Sequence, residues 1–560
     1  MARRFGGRRT GVLAGAAVAA LLAVPGVASA AVTSSVAGGT LTVTSDADDA
    51  IAITCVANQV KINGADPGTG AAKCDAITAI DVHGGPGANN INLAAVTTAD
   101  PAVDTDFPAV TSVTIDGGGG DDLINGSQYP DTIHGGNGND RIIGDNNAGG
   151  TRDNSQGDNG NDTLVWNPGD GDDINEGGDG TDTIEVNGGG GGEQFEVKPS
   201  ATAGRVQFDR TGPSPPGPFN LDIGTAERLD MNANGGDDTF TAQNGLNALG
   251  FALDVDGGTG NDNLDGGDGP DLLNGGDGND RIAGDDNPAG TRDNAQGGTG
   301  DDTMVWNPGD GDDLNEGGDG NDTVEVNGGG VGEQFEVKPS ATPGRVQFDR
   351  TGPTPPGPFN IDIGTSEHLV LNAGGGNDKI TGKKGLNGLI QSTFNGDDGN
   401  DTITGTDAAD VVSGGNGFDV IATRDKAADQ VECDGGFDLA FVDRRDTVRG
   451  CEIVLGGRLR VKHSSSVLRV TGNVATAKLT CVATQSCKGT ARLLRGGKSL
   501  GSTTFTLKRN KTKAVHIKLG PRGRTLLAKA SAKGLAVQLR LDSRDSRGNG
   551  WRTTSNVRLK

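Results

Sequence analysis

Aromatic side chains are scarce: one Tyr, three Trp and 15 Phe in 560 residues, 3% of the chain. That scarcity leaves few rings on which bases could stack, and no nucleic-acid partner is expected. Histidine is nearly as rare. His83, His134, His368, His463 and His516 are scattered and never form H-E-x-x-H, so a zinc protease of that kind is excluded. No serine-nucleophile elbow is expected either. Acid pairs are abundant, but they recur at a repeat spacing and carry little weight for a glycosidase. The chain is therefore read as no enzyme. Gly11–24 is apolar yet too short for a comfortable membrane span, which takes about 20 residues.

Glycine and acid fill the space left. There are 98 Gly, and 75 Asp and Glu stand against 49 Lys and Arg, a formal charge of −26. By charge and hydrophobicity alone such a chain reads as disordered. Each glycine adds roughly 0.5–1 kcal/mol of backbone entropy to be lost on folding, relative to alanine. Clustered carboxylates also repel, so something besides apolar burial has to hold the fold.

The glycines and acids are periodic. Gly117–143 reads GGGGDDLIN, GSQYPDTIH, GGNGNDRII, three consecutive units of nine. Asp122, Asp131 and Asp140 fall nine apart, and Ile124, Ile133 and Ile142 follow each Asp by two. The pattern is G-G-x-G-x-D-x-U-x, with U a large aliphatic. The glycines permit a tight turn that aims carbonyls inward, and the Asp adds a hard oxygen. The rest of the unit is a short strand whose U side chain enters the core. Calcium takes six to eight oxygens at roughly 2.3–2.6 Å, more than one turn can offer but within reach of two stacked turns.

The phase returns at 257–283 with Asp262, Asp271 and Asp280, and at 396–422 with Asp401, Asp410 and Asp419. Single copies surround Asp162, Asp182, Asp302, Asp322 and Asp378, and a degraded one holds Asp238. The whole pattern resembles the hemolysin-type, or repeats-in-toxin, calcium-binding family. The resemblance implies a parallel β-roll and Ca2+ as the bound ion. The expected metal ligands are those aspartates, together with the turn residues Gly117, Gly120, Gly135, Gly138, Gly257, Gly260, Gly275 and Gly278. Calcium-dependent folding follows.

In chain order, residues 1–30 read as a secretory signal. Arginines at 3, 4, 8 and 9 precede the apolar stretch, and Ala28-Ser29-Ala30 fits a cleavage site. A secreted, extracellular or cell-surface location is expected, with no membrane span after cleavage. This departs from the toxins of the family, which leave by a C-terminal signal. Residues 31–116 alternate as β-strands and read as an N-terminal cap. Within them GGPGANNINL (84–93) looks like a worn repeat, read with Asn90 in the acid's place. Residues 117–256 form a first β-roll with inserted strands, and 257–395 its duplicate. Gly135–240 matches Gly275–380 at an offset of 140. Both copies hold a Trp (166, 306) beside Asn-Pro-Gly-Asp, read as packing. Asp170, Asp172, Asp310 and Asp312 nearby are further calcium candidates. Residues 396–456 carry the last repeats and a closing disulfide.

The charge reverses at about Gly457. From there on, 24 Lys and Arg oppose two Asp, a net of +22, which leaves −48 on the preceding part. Residues 457–560 read as a basic β-sandwich that resembles immunoglobulin-like terminal domains of secreted bacterial proteins. Six cysteines in an exported chain are expected to pair: Cys55 with Cys74, Cys433 with Cys451, Cys481 with Cys487. The fold class is all-β. The function read here is an extracellular calcium-binding structural protein. The alternative is a calcium-dependent adhesin or a binder of cell-wall or extracellular polysaccharide.

Overall fold

The computed structural model describes residues 31–98, 105–145, 151–212, 218–288, 290–353, 358–456, 461–482, 486–544 and 550–560. The proposed export signal, 1–30, lies outside the described residues, as do most of the two Pro-rich turns. The chain is almost entirely strand, and the one α-helix among the described residues is Pro521–Ala528. None of these residues forms a helix long and apolar enough to cross a membrane.

Up to Gly456 the chain winds as a parallel β-roll of two sheets. Successive strands alternate between the sheets, so each coil contributes one strand to each. Asp131–Asn137, Arg152–Asn159 and Asp172–Asp179 stack in parallel in sheet one. Leu123–Asn125, Arg141–Ile143, Thr163–Trp166 and Thr183–Asn187 stack in sheet two. The side chain of every second residue points inward, as the strand period requires. Ile91, Ile124, Ile142, Leu164, Ile184, Leu229 and Leu253 therefore pair in register, each 4% exposed or less. Beside that column Trp166, Val186, Met231 and Val255 pair in register as a second buried row of sheet two.

The parallel ladders begin well before Gly117. Thr40–Thr44, Ala79–His83 and Ser112–Asp116 already stack in sheet one, and Ala50–Val56 and Asn90–Asn92 in sheet two. Only Thr33–Ala37 and Gln59–Ile62 run antiparallel, at the open end of the roll. They cover edges that would otherwise present unpaired backbone groups.

The inserts of the duplication lie within the sheets. In the first copy Gln194–Pro199, Arg205–Gly212 and Phe219–Gly224 form an antiparallel meander in sheet one. Its outer strands join the parallel ladder on both sides. The second copy, Gln334–Pro339, Val346–Gly352 and Phe359–Gly364, builds the same meander in sheet two. Equivalent strands thus fall on opposite sheets, so the block of 140 residues spans an odd number of half-coils. Trp166 stacks on Phe219 at 3.7 Å between centroids, and Trp306 on Phe359 at 3.8 Å. Both indoles are buried and donate Nε1–H to Gly171 O and Gly311 O, which gives them a packing role.

All three expected disulfides are formed, Cys55–Cys74, Cys433–Cys451 and Cys481–Cys487. Beyond the roll, Val474–Cys481 pairs antiparallel with Val461–His463, Val467–Thr471 and Thr512–Lys518. Cys487–Arg495 pairs with Lys498–Leu507 and Leu535–Arg544, and the latter with Gly550–Leu559. These strands enclose an apolar core of their own, separate from that of the roll. Trp551 joins the roll's core instead, and pairs through its backbone with Val454.

Candidate metal centre

The unit Gly135–Ile143 shows why each position holds its residue. Gly136 and Gly138 have φ of +103° and +138°, where a Cβ is strained. A Cβ on Gly138 would also lie 2.0 Å from the Gly120 carbonyl oxygen of the preceding coil. Gly135 has an ordinary φ, but a Cβ there would meet Asp140 Oδ2 at 2.4 Å and Gly157 O at 2.7 Å. The turns therefore stack with carbonyl and carboxylate oxygens crowded where side chains would be. Ile142 then enters the core.

The aspartates form ladders along the roll. Asp122 N–H donates to Asp140 Oδ1 at 2.7 Å, Asp140 N–H to Asp162 Oδ1 at 2.7 Å, and Asp162 N–H to Asp182 Oδ1 at 2.8 Å. Glu227 ends this run, accepting from Asp182 N–H at 2.8 Å. A second run goes from Glu193 through Asp238, Asp262, Asp280, Asp302 and Asp322 to Glu367. A third goes from Glu333 through Asp378, Asp401, Asp419 and Asp438 to Glu452. The first and third runs lie on the edge where the chain enters sheet two. The second lies on the opposite edge, because the copies are offset by an odd number of half-coils.

One oxygen of each aspartate is spent on the ladder. The other, Oδ2, is buried without a hydrogen-bond partner at Asp122, Asp140, Asp162, Asp182, Asp238, Asp262, Asp280, Asp302, Asp322, Asp378, Asp401, Asp419 and Asp438. A buried, unpaired carboxylate oxygen is costly, and a row of them beside a cradle with no room for Cβ fits a hard cation. Burial pushes the carboxyls up in pKa, to about 7 at Asp122, Asp238 and Asp378, and to about 6 at Asp140, Asp162, Asp262, Asp280 and Asp419. Burial raises Asp182, Asp302, Asp322 and Asp401 as well.

The glutamates that begin the second and third runs are different. Arg210 Nε donates to Glu193 Oε1 and Arg350 Nε to Glu333 Oε1, both at 2.5 Å, with all four side chains nearly inaccessible. The second oxygen of each accepts the N–H of Gly189 or Gly329. At these two positions a guanidinium supplies the positive charge.

Other expected ligands differ in detail. In the worn repeat the acid's place belongs to Asn89, not Asn90. Asn89 N–H donates to Asp122 Oδ1 at 2.6 Å, while Asn90 begins a strand and is exposed. Asp131 and Asp410 lie on the other edge and have both oxygens occupied. Ser127 donates its N–H and Oγ–H to Asp131, and Thr406 does the same for Asp410. Asp271, which leads into sheet two on the edge of the first and third runs, keeps an unpartnered Oδ2 and is pushed up to about 8 by burial. Asp170 and Asp310 accept the N–H of Asn167 and Asn307, and Asp172 and Asp312 accept those of Asn220 and Asn360.

Asp429 and Asp438 also carry an unpartnered Oδ2 and, like Asp153 and Asp293, were missed in the sequence; Asp293 Oδ2 accepts from Asn287 Nδ2 at 2.5 Å. Gly144 lies nine residues before Asp153, where Gly135 lies five before Asp140, yet a Cβ on Gly144 would meet Asp153 Oδ2 at 2.5 Å. Four extra residues between Gly144 and Asp153 hid it. Before Asp438, Cys433 and Asp434 replace the first two glycines of the nonapeptide, and Ala440 holds the place of its large aliphatic.

The family model of the RTX calcium-binding nonapeptide repeat matches four stretches of this chain, residues 116–149, 256–287, 370–388 and 393–421. No curated protein matches the chain.

Proposed function

For a chain that carries hemolysin-type calcium-binding repeats, we propose the role of an extracellular structural protein whose acid ladders are filled by calcium. The observation that carries this reading is the row of buried, unpartnered Oδ2 atoms along both edges. The ladder aspartates and the carbonyls of the glycine turns would hold the ions, and calcium there supplies the positive charge that the turns lack. The disulfides and the export signal suit an oxidising, calcium-rich exterior. Calorimetric titration of residues 31–560 with calcium is expected to register several ions per chain in the micromolar-to-millimolar range typical of sensor and extracellular sites. A flat titration at millimolar calcium overturns the proposal.

The reading is non-enzymatic. Gly497-Lys-Ser499-Leu-Gly501 does have G-x-S-x-G spacing, contrary to the expectation above. It belongs to an antiparallel hairpin, with Ser499 opposite Leu494, rather than to a strand-to-helix turn that would expose a nucleophile.

A second reading, a binder of anionic polysaccharide, is favoured by one groove. It measures about 540 Å³ and is lined by Phe437 and by Lys488, Arg492, Arg540, Arg544 and Arg552, with Glu452 and Asp542 among them, Asp542 paired to Arg540 and Arg552. Phe437 and Phe418 are half-exposed and stack at 6.3 Å, since they hold the same position in successive nonapeptides. Retention on immobilised dextran sulfate but not on dextran is expected, falling several-fold in the double variant Arg492→Ala, Arg544→Ala. Equal retention on the two matrices sinks this reading.

A further inference from the structure

The acid ladders use one carboxylate per turn together with backbone carbonyls. The last turns leading into sheet one are built differently. They contain no G-G-x-G, and their sequences are Thr406-Asp-Ala-Ala-Asp410, Thr423-Arg-Asp425-Lys-Ala-Ala-Asp429 and Asp443-Arg-Arg-Asp446. Here three carboxylates converge: oxygens of Asp410, Asp425 and Asp429 all lie within 4.8 Å of one another.

The convergence is not relieved by the protein. Asp429 is 1% exposed, and its Oδ2 has no hydrogen-bond partner. Asp425 Oδ2 is buried and unpartnered as well. Asp410 accepts two bonds from Thr406, but a carboxylate has about four lone-pair positions and can still face a cation. The next coil adds Asp443 and Asp446, each with one more buried, unpartnered oxygen. Among the described residues no Lys or Arg forms an ion pair with any of these acids. The nearby Arg424 turns away, donating to Leu455 O at 2.8 Å and lying over the Phe441 ring.

We propose that Asp410, Asp425 and Asp429 form a separate cation site, of a kind distinct from the nonapeptide turns, and that it takes calcium. All donors are hard oxygens, which suits calcium rather than a soft transition metal. Three side-chain charges face one ion, against one in a ladder turn. Affinity at oxygen sites rises with ligand charge, so this ion binds tightest and leaves last. It ties the coil of Asp410 to the next one, just ahead of the Cys433–Cys451 disulfide. Asp425 belongs to no nonapeptide and lies outside the four family matches.

Native mass spectrometry of residues 31–560 tests the site, after dialysis at micromolar and at millimolar free calcium. The wild-type chain is expected to retain an ion at micromolar calcium, and Asp425→Asn to retain one fewer, with the rest of the millimolar load unchanged. Equal retention by the two proteins at micromolar calcium overturns the site while leaving the ladder proposal standing. A chain that binds a single ion at millimolar calcium, lost in Asp425→Asn, keeps the site and overturns the ladders. Circular dichroism at millimolar calcium checks that the variant keeps its strands. A measurement on the wild type is independent of any variant: europium luminescence lifetimes in H2O and D2O at the first equivalent. A nearly dehydrated ion is expected, and a first ion as hydrated as the free aquo ion overturns the site.

Discussion

Stripped of calcium by a chelator and desalted at pH 8, residues 31–560 are expected to lose most of their far-UV β signal and to regain it with millimolar calcium. Along each ladder the Oδ2 atoms are buried and unpartnered. Leaving one such group unsatisfied costs about 1–3 kcal/mol, more when it is charged. The nonapeptide strands each bury only one large aliphatic, such as Ile124, Ile142, Leu264, Ile282 and Ile403, which is thin compensation. A site filled at 100 times its dissociation constant returns roughly 2.7 kcal/mol, so a row of them decides the fold. The loss should be uneven. The two meanders hold Glu193–Arg210 and Glu333–Arg350, with a guanidinium in place of an ion, beside stacked Trp and Phe. The C-terminal strands have their own core and no ladder. Hydrogen exchange read by mass spectrometry should show the turns around Asp140, Asp280 and Asp401 exchanging freely in chelator, with 334–364 and 461–560 still protected. Unchanged exchange at those turns would falsify calcium as the missing stabiliser.

The sequence made the coil legible wherever the unit is intact. Asp at position six and an aliphatic at position eight recur with a period that only a stacked coil explains, and Ile124, Ile142 and Ile184 do line one column. The calcium-binding character of the repeats was legible for the same reason, since the turn that makes the coil also gathers the oxygens. Three things were hidden. Which edge a ladder occupies depends on the number of half-coils crossed, and the meanders within the sheets obscure that count. Glu193 and Glu333 take ladder positions without being Asp, and their arginines lie 17 residues away on an antiparallel strand. Asp425 and Asp429 meet Asp410 only through stacking of coils, because nothing in TRDKAAD repeats the G-G-x-G-x-D spacing. The N-terminal strands read as a cap because their glycines are few. Yet Ala79–His83 and Ser112–Asp116 pair in the same register as the coils that follow.

Lowering the pH should move the calcium-free and calcium-loaded proteins in opposite directions. In the unfolded chain these aspartates titrate near 3.9. In the metal-free fold burial raises them, to about 6 at Asp140 and Asp280, about 7 at Asp122 and about 8 at Asp271. Below about pH 4 both states are protonated and the groups contribute nothing. As pH rises from there the unfolded chain releases protons that the folded chain keeps, so stability of the metal-free fold falls. The fall is complete only above about pH 8, where the most shifted groups have ionised. Each unit of separation is worth about 1.4 kcal/mol, so a single ladder aspartate disfavours the ion-free coil by a few kcal/mol at alkaline pH. Calcium reverses the sign because it needs the same oxygens deprotonated, and its apparent affinity drops as pH falls through 7 and 6. Protein desalted free of calcium and chelator should therefore show more β signal and a higher melting temperature at pH 5 than at pH 8. The same protein in millimolar calcium should melt higher at pH 8 and release ions toward pH 5. A metal-free chain equally disordered at both pH values would mean that the buried carboxylates are not what keeps the coil open.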